Sequence, residues 1–282
     1  MADIHDQYKT KISLRGLCKL TGFPRWRLRY HLLTAQKRQE KQKDLEKERQ
    51  QVKEIALKYT TYGYRGVYIE VNKLYQLGRE KVRHHMAALG LKKQRPKRKR
   101  KAAPEYSKVC ELPDGRKVQI DATRFELADG IAWKYVVEDV ASRACLALKT
   151  VRQLSKEAAA AALLAAKHSL EELGISETLV VQSDGGTDFT SAHFQTTCDE
   201  LGASWHRCRI NEKGGMGILE RLNRTIKWDF VFWREPETLA ELKNLDAKLQ
   251  TWYNQERIHS SIGYKTPWQI LNDDARLSTP VG

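Results

Sequence analysis

The chain has 282 residues, enough for two or three domains, and 41% of them are hydrophobic, near the globular norm. No apolar run approaches the ~18–20 residues that a membrane span needs, and residues 1–11 lack the apolar core of a secretory signal, so membrane and secreted classes are not expected. Lys plus Arg total 50 against 35 for Asp plus Glu, and the excess is one-sided: residues 1–105 hold 28 basic and 10 acidic side chains, residues 106–282 hold 22 and 25. A cationic half points to a polyanionic partner, because neutralising phosphates releases condensed counterions.

The basic half reads as helices. Residues 14–20, the turn Thr21-Gly22-Phe23-Pro24 and residues 25–33 have the pattern of a helix-turn-helix over 1–35. Its second helix carries Arg25, Arg27 and Arg29 with Trp26 and Tyr30, the composition of a DNA-facing helix. Residues 36–60, rich in Lys, Glu, Gln and Arg, predict a separate solvated connecting helix. A second helix-turn-helix is expected over 61–91, with Leu77-Gly78 as its turn. Its last helix keeps Val82, Met86 and Leu89 on an apolar face, with Arg79, Lys81 and Arg83 available to DNA. Residues 92–105 are a basic linker: eight of the ten residues 92–101 are Lys or Arg, and Pro96 and Pro104 block a continuous helix. Lys97, Arg98, Lys99 and Arg100 in it suit a phosphate backbone.

The second half predicts a mixed α/β unit over 106–235. Strands are expected at 117–125, 131–140 and 144–151, with Asp129-Gly130 as a hairpin turn. A helix capped by Ser155 and stopped by Gly174, a strand at 178–182, a helix capped by Thr190 or Ser191, a strand at 203–208 and a helix carrying Glu220 follow. The order β-β-β-α-β-α-β-α gives a five-stranded mixed sheet flanked by helices. Residues 236–282 form a C-terminal helix and tail packing on that core, with one amphipathic helix over 239–253. Trp228, Phe230, Phe232 and Trp233 are expected in the core.

Three acids stand out. Asp121 falls in the first predicted strand, Asp184 at the end of the fourth and Glu220 on the helix after the fifth, with 35 residues between Asp184 and Glu220. Convergent carboxylates repel unless cations neutralise them. All-oxygen ligands suit Mg²⁺, with Mn²⁺ substituting, rather than zinc. Two such ions serve phosphoryl displacement. Lys227, seven residues past Glu220, lies on the same helical face. Asp188 is read as ordering its loop, Asp139 as a turn residue, and Glu212 lacks a helix to fix it. The five cysteines include no C-x-x-C pair, and His193, Cys198, His206 and Cys208 lack zinc-finger spacing.

Tyr62-Gly63-Tyr64-Arg65-Gly66, Gln119-Ile120-Asp121-Ala122-Thr123, Gln182-Ser183-Asp184-Gly185-Gly186 with Phe189-Thr190-Ser191, Gly217-Ile218-Leu219-Glu220-Arg221-Leu222-Asn223-Arg224-Thr225, and Trp252-Tyr253-Asn254 through Gly263-Tyr264-Lys265-Thr266-Pro267 occur in that order. In them the chain resembles integrase-core DDE transposases of the RNase H-like superfamily, and in particular the second-frame product of insertion-sequence-three-type elements. It departs from many such relatives in having Gly215-Met216 where they place Asp-Asn.

The resemblance implies an α/β RNase H-like core behind an all-α helix-turn-helix region. It implies a Mg²⁺-dependent polynucleotidyl transferase, with Asp121, Asp184 and Glu220 as catalytic and metal ligands for two ions. The activity would be cleavage at transposon ends and strand transfer by a DNA 3′-hydroxyl. Terminal inverted repeats and target DNA are the implied partners, touched also by Arg224 and Lys227. A homo-oligomer on DNA and a place in the bacterial cytoplasm, at the nucleoid, follow. The competing readings are a catalytically silent DNA-binding regulator and an RNase H-like nuclease without strand transfer.

Overall fold

The computed structural model describes residues 13–91, 108–109, 112–208, 212–213 and 215–278. The chain divides into two compact units, Met1–Lys97 and Arg98–Gly282. No helix among the described residues is long and apolar enough to cross a membrane.

The first unit is helical. In α1 (Leu14–Thr21), Ser13 caps the N-terminus by accepting from Gly16 N, and Gly22 at φ 67° ends the helix in the left-handed region that favours glycine. α2 (Arg25–Lys58) is one unbroken helix of 34 residues, where the sequence pattern predicts a recognition helix and a separate connecting helix. The reason is visible in the sequence: no Gly or Pro interrupts residues 25–58. Its C-terminal part joins α3 (Tyr64–Tyr75) and α4 (Arg79–Ala88) in a small bundle. Val52, Ile55, Ala56, Val67, Val71, Val82 and Met86 are buried there. Glu48 of α2 ties α4 down, pairing with Lys81 at 2.6 Å and with the buried His85 at 3.1 Å.

The second unit is built on a sheet of order β4-β3-β2-β5-β6. Its strands are β2 (Arg116–Leu127), β3 (Gly130–Asp139), β4 (Cys145–Val151), β5 (Leu179–Ser183) and β6 (Ser204–Arg207). Two short strands, β1 (Lys108–Val109) and β7 (Glu212–Lys213), pair separately in parallel. β2–β3 and β3–β4 are antiparallel, while β2–β5 and β5–β6 are parallel. The antiparallel links need only turns; the parallel ones are made by the crossover helices α5 (Lys156–Glu171) and α6 (Ala192–Glu200). This is the RNase H-like arrangement.

Strand alternation divides two cores. On one face Val118, Ile120, Tyr135 and Val137 pack with the alanine-rich side of α5 and with Phe189 and Phe194. On the other, Phe125, Ala132 and Val136 meet α7 (Gly217–Thr225) and the C-terminal helices through Leu219, Leu222, Ile226, Phe230, Leu242, Leu249 and Tyr253. α7 runs into a π-helical turn, Ile226–Val231.

The aromatic run after α7 is only partly core. Phe230 is 1% exposed, but Trp228, Phe232 and Trp233 are 58%, 52% and 65% exposed. One helical segment has one face to bury, so four aromatics so closely spaced cannot all turn inward. The amphipathic stretch over 239–253 is likewise not one helix. It is α8 (Leu239–Asn244) and α9 (Asp246–Thr251), followed by a π-helical turn, Trp252–Glu256. The last helix is α10 (Pro267–Ser278).

Candidate active site

Asp121 lies in the middle of β2, opposite Val136 of β3. On its other side, β2 pairs in parallel with β5 up to Gln119 opposite Gln182, an offset of 63 residues. Asp121 and Asp184 each follow this last pair by two residues, Asp184 immediately beyond the last residue of β5, and the charge of Asp184 reaches Asp121. There Asp184 accepts a hydrogen bond from Gly186 N at 2.9 Å, which fixes the turn leaving the strand. Glu220 stands exposed in the first turn of α7. The adjacent apolar positions Leu219 and Leu222 press α7 onto the sheet. From the same helix Asn223 donates Nδ2 to Asp121 Oδ2 at 2.8 Å.

Burial holds the Asp121 carboxyl above its ordinary value of 3.8, at about 6, against a backbone hydrogen bond that lowers it, and the charges of Asp184, Glu220 and Asp188 push it further up. Asp184 and Glu220 therefore each lie within electrostatic reach of Asp121. Lys227 is half-buried, its Nζ 5.5 Å from the centre of the Phe125 ring. Burial lowers its pKa while Asp121 draws it up, so this ammonium belongs to the same electrostatic neighbourhood. The donor set consists of carboxylate oxygens, two of the three on exposed residues, which matches a hard divalent cation. Among the described residues no group of three or more His, Cys, Asp or Glu side chains is placed to hold a metal ion, so the three carboxylates are not gathered into a ready-made cation site in this structure.

The other predicted residues fall as follows. Asp188 is buried and accepts from the Tyr135 hydroxyl at 2.7 Å, so it orders the loop after β5. Asp139 caps the turn after β3, accepting from Ser142 N at 2.8 Å and from Arg116 Nη2 at 2.9 Å. Glu212 lies in β7. Arg224 is exposed on α7. In the first unit Arg25, Arg27, Arg29 and Arg79 are exposed, while Lys81 pairs with Glu48 and Arg83 with Glu80. Lys97, Arg98, Lys99 and Arg100 lie outside the described residues.

Sequence reasoning overlooked Asn223, Gln119, Gln182 and Arg207. Asn223 was findable, since it follows Glu220 by three positions and so shares its helical face. Arg207, at the end of β6, lies so close over Gly185 that a Cβ there would overlap its guanidinium. No sequence signal announces that contact.

Residues 114–213 match the integrase core domain family, and residues 202–267 match a second integrase core domain family. A transposase for insertion sequence element IS904 from Lactococcus lactis subsp. lactis (strain IL1403) is 30% identical over 90 residues, 32% of this chain and 36% of that protein. The chain thus spans about a third of the length of the curated relative it matches. Among solved structures, the HTLV-2 integrase catalytic core domain in complex with magnesium aligns with 56% of this chain and 97% of its own, at 23% identity and TM-score 0.44. The simian T-cell lymphotropic virus intasome in complex with PP2A regulatory subunit B56 gamma aligns with 76% of this chain and 72% of that chain, at 17% identity and TM-score 0.47.

Proposed function

Because residues 114–213 and residues 202–267 each match an integrase core domain family, we propose that this chain is a DNA transposase. It binds the terminal inverted repeats of its element, cleaves a strand at each end with water as nucleophile, and transfers the resulting 3′-hydroxyl into target DNA. What supports this reading is the parallel β2–β5 pairing, which ends at Gln119 and Gln182, two residues before Asp121 and Asp184, together with the hydrogen bond from Asn223 of the Glu220 helix to Asp121.

Asp121, Asp184 and Glu220 would hold Mg²⁺, with Mn²⁺ as a substitute, two ions to a site. Bound there, such a pair of hard cations supplies charge neutralisation for the attacking and departing oxygens of an in-line displacement at phosphorus. The protein's own part is orientation. β2 carries Asp121, the turn leaving β5 carries Asp184, α7 carries Glu220, and Asn223 holds Asp121 by a hydrogen bond. Lys227 offers a cation to a substrate phosphate beside them, and Arg224 extends that charge along α7. The helical unit, with Arg25, Arg27, Arg29, Arg79, Lys81 and Arg83, together with Lys97, Arg98, Lys99 and Arg100, would grip the DNA backbone. Two ends must be held together for concerted joining, so the working form on DNA is a homo-oligomer.

The test is incubation of the full chain with a plasmid carrying the DNA that flanks its gene, in Mg²⁺ or Mn²⁺, followed by sequencing of any joined strands. Joined products from the wild type and none from Asp184→Asn, with DNA binding retained, are expected. Tight binding with no cutting in either metal would make the chain a regulator, and nicks without joins would make it a nuclease.

A further inference from the structure

Each of the two aspartates is preceded, two positions earlier, by a glutamine: Gln119-Ile120-Asp121 and Gln182-Ser183-Asp184. A strand's period of two puts each glutamine on the same face as its aspartate. The parallel register pairs Gln119 directly with Gln182. A rung of amides therefore closes the β2–β5 ladder two residues before each aspartate.

That rung is fully buried and bonded. Both side chains are 1% exposed. Gln119 Nε2 donates to Gln182 Oε1 at 3.1 Å and to Gly215 O at 3.3 Å, while Gln119 Oε1 accepts from Leu219 N at 3.1 Å. These bonds fix one orientation of the Gln119 amide, since only oxygen can accept from Leu219 N–H and only nitrogen can donate to Gly215 O. Gln182 Nε2 in turn donates to Cys208 Sγ at 3.1 Å, reaching the segment that follows β6.

The bond to Leu219 has a specific consequence. α7 begins after Met216, which makes no side-chain cap. Leu219 is the third residue of that helix, the position whose N–H an N-cap side chain ordinarily satisfies. Gln119 supplies that cap from the neighbouring strand, and the next residue along the helix is Glu220. The same amide thus contacts the strand of Asp184 and the first turn of Glu220, from two residues below Asp121.

We infer that the Gln119–Gln182 pair is the positioning element that sets the three carboxylates at a common height. It touches neither substrate nor ion, and it acts through the backbones that carry Asp121, Asp184 and Glu220. This inference rests on the reading of those three residues as the cation-holding set. An apolar pair at these positions would leave the Leu219 N–H and the Gly215 carbonyl without these partners, and α7 free to slide.

The experiment compares wild type, Gln119→Met and Gln119→Glu in the full chain. Three quantities are read: Mn²⁺ affinity without DNA by electron paramagnetic resonance, hydrogen exchange at the Leu219 amide, and single-turnover cleavage of the plasmid described above. Methionine keeps the volume and loses every bond. It is expected to weaken Mn²⁺ binding and to slow cleavage by about 10- to 100-fold each, with DNA affinity unchanged and Leu219 exchange accelerated. Glutamate keeps an acceptor and loses the donors, so Leu219 protection is expected to persist while Mn²⁺ affinity still falls. Should Gln119→Met fail to fold, Gln182→Met removes the amide–amide bond and the bond to Cys208 Sγ while leaving the Gln119 bonds to Leu219 and Gly215, and its Mn²⁺ affinity is expected to fall in the same direction. A folded Gln119→Met, or Gln182→Met in its place, with wild-type Mn²⁺ affinity and cleavage rate would overturn this inference alone. A wild type that neither takes up Mn²⁺ nor cuts would overturn the carboxylate reading, and this inference with it.

Discussion

Asn223 fastens the helix of Glu220 to the strand of Asp121, through a hydrogen bond of 2.8 Å to Asp121 Oδ2. Asn223 is 8% exposed. The bond spans two elements 102 residues apart in the chain and selects one rotamer for a carboxylate that burial alone would leave poorly held. Replacing Asn223 with Ala is expected to slow strand cleavage by about 10- to 100-fold, the usual cost of losing such a support. DNA binding should be unaffected. Single-turnover cleavage beside a binding isotherm separates the two, and an equal fall in both would assign Asn223 to DNA contact instead.

The raised pKa of Asp121 makes a stability prediction with a definite sign. The carboxyl titrates near 6 in the fold and near 3.8 when ordinary. An acid raised in the fold costs stability above its folded pKa and is relieved as pH falls toward the unfolded one. Asp121→Asn should therefore stabilise the cation-free protein at pH 7, by at most about 3 kcal/mol, with the gain fading between pH 6 and pH 4. Thermal melts across that range measure it. Mg²⁺ should raise the melting temperature of the wild type and do so far less for the variant.

His259 should make the C-terminal region acid-labile. Burial, reinforced by the positive charges of Arg257, Arg221 and Arg143, pushes its pKa from 6.5 down to about 3, and its ring packs edge-on to Tyr253 at 4.7 Å. A histidine depressed in the fold stabilises the protein above its unfolded pKa. That contribution is lost as pH falls from 6.5 toward 3, with a slope of up to about 1.4 kcal/mol per pH unit. His259→Phe should flatten the stability curve in this window relative to wild type. Parallel curves in denaturant titrations would refute the assignment.

The pair of buried Lys134 with half-buried Asp246 should be costly to halve. Lys134 is 1% exposed and meets both Asp246 and the hydroxyl of Thr150, which itself donates to Asp246 Oδ2 at 2.8 Å. Burial drives the Lys134 pKa down, and the Asp246 carboxylate pulls it back up. Lys134→Met should cost about 3–5 kcal/mol by stranding Asp246, and adding Asp246→Leu should recover most of it. A double-mutant cycle in urea checks the coupling.

The aromatic run offers a comparison within one segment. Phe230→Ala removes a ring packed against Trp252 at 5.1 Å and should cost about 3–5 kcal/mol. Trp233→Ala, at a site 65% exposed, should change stability by within about 0.5 kcal/mol. Equal losses in equilibrium unfolding would mean that Trp233 is covered in solution.

What the sequence determined by itself is local. Hairpin turn, helix caps and strand periodicity depend on neighbours a few positions away, so the five strands, Ser155 as one cap and Ser191 as one of two candidates for another, and the places of Asp121 within a strand, Asp184 at a strand end and Glu220 on the following helix were legible from residue order alone. Where the pattern misled, a local rule met a nonlocal limit. The stretch 25–58 contains no breaker, so two expected helices are one. Trp228, Phe232 and Trp233 are as apolar as Phe230, but the sheet has room for only one of the four rings. Only the tertiary structure decided which groups meet across tens of residues. The amide rung of Gln119 and Gln182, the cap that Gln119 lends to α7, the bond from Asn223 to Asp121 and the Arg207 guanidinium over Gly185 are all of this kind. A buried amide looks in sequence like any polar residue in a strand, because its role is set by the direction and partner of its hydrogen bonds. Those exist only once the parallel register between β2 and β5 has formed.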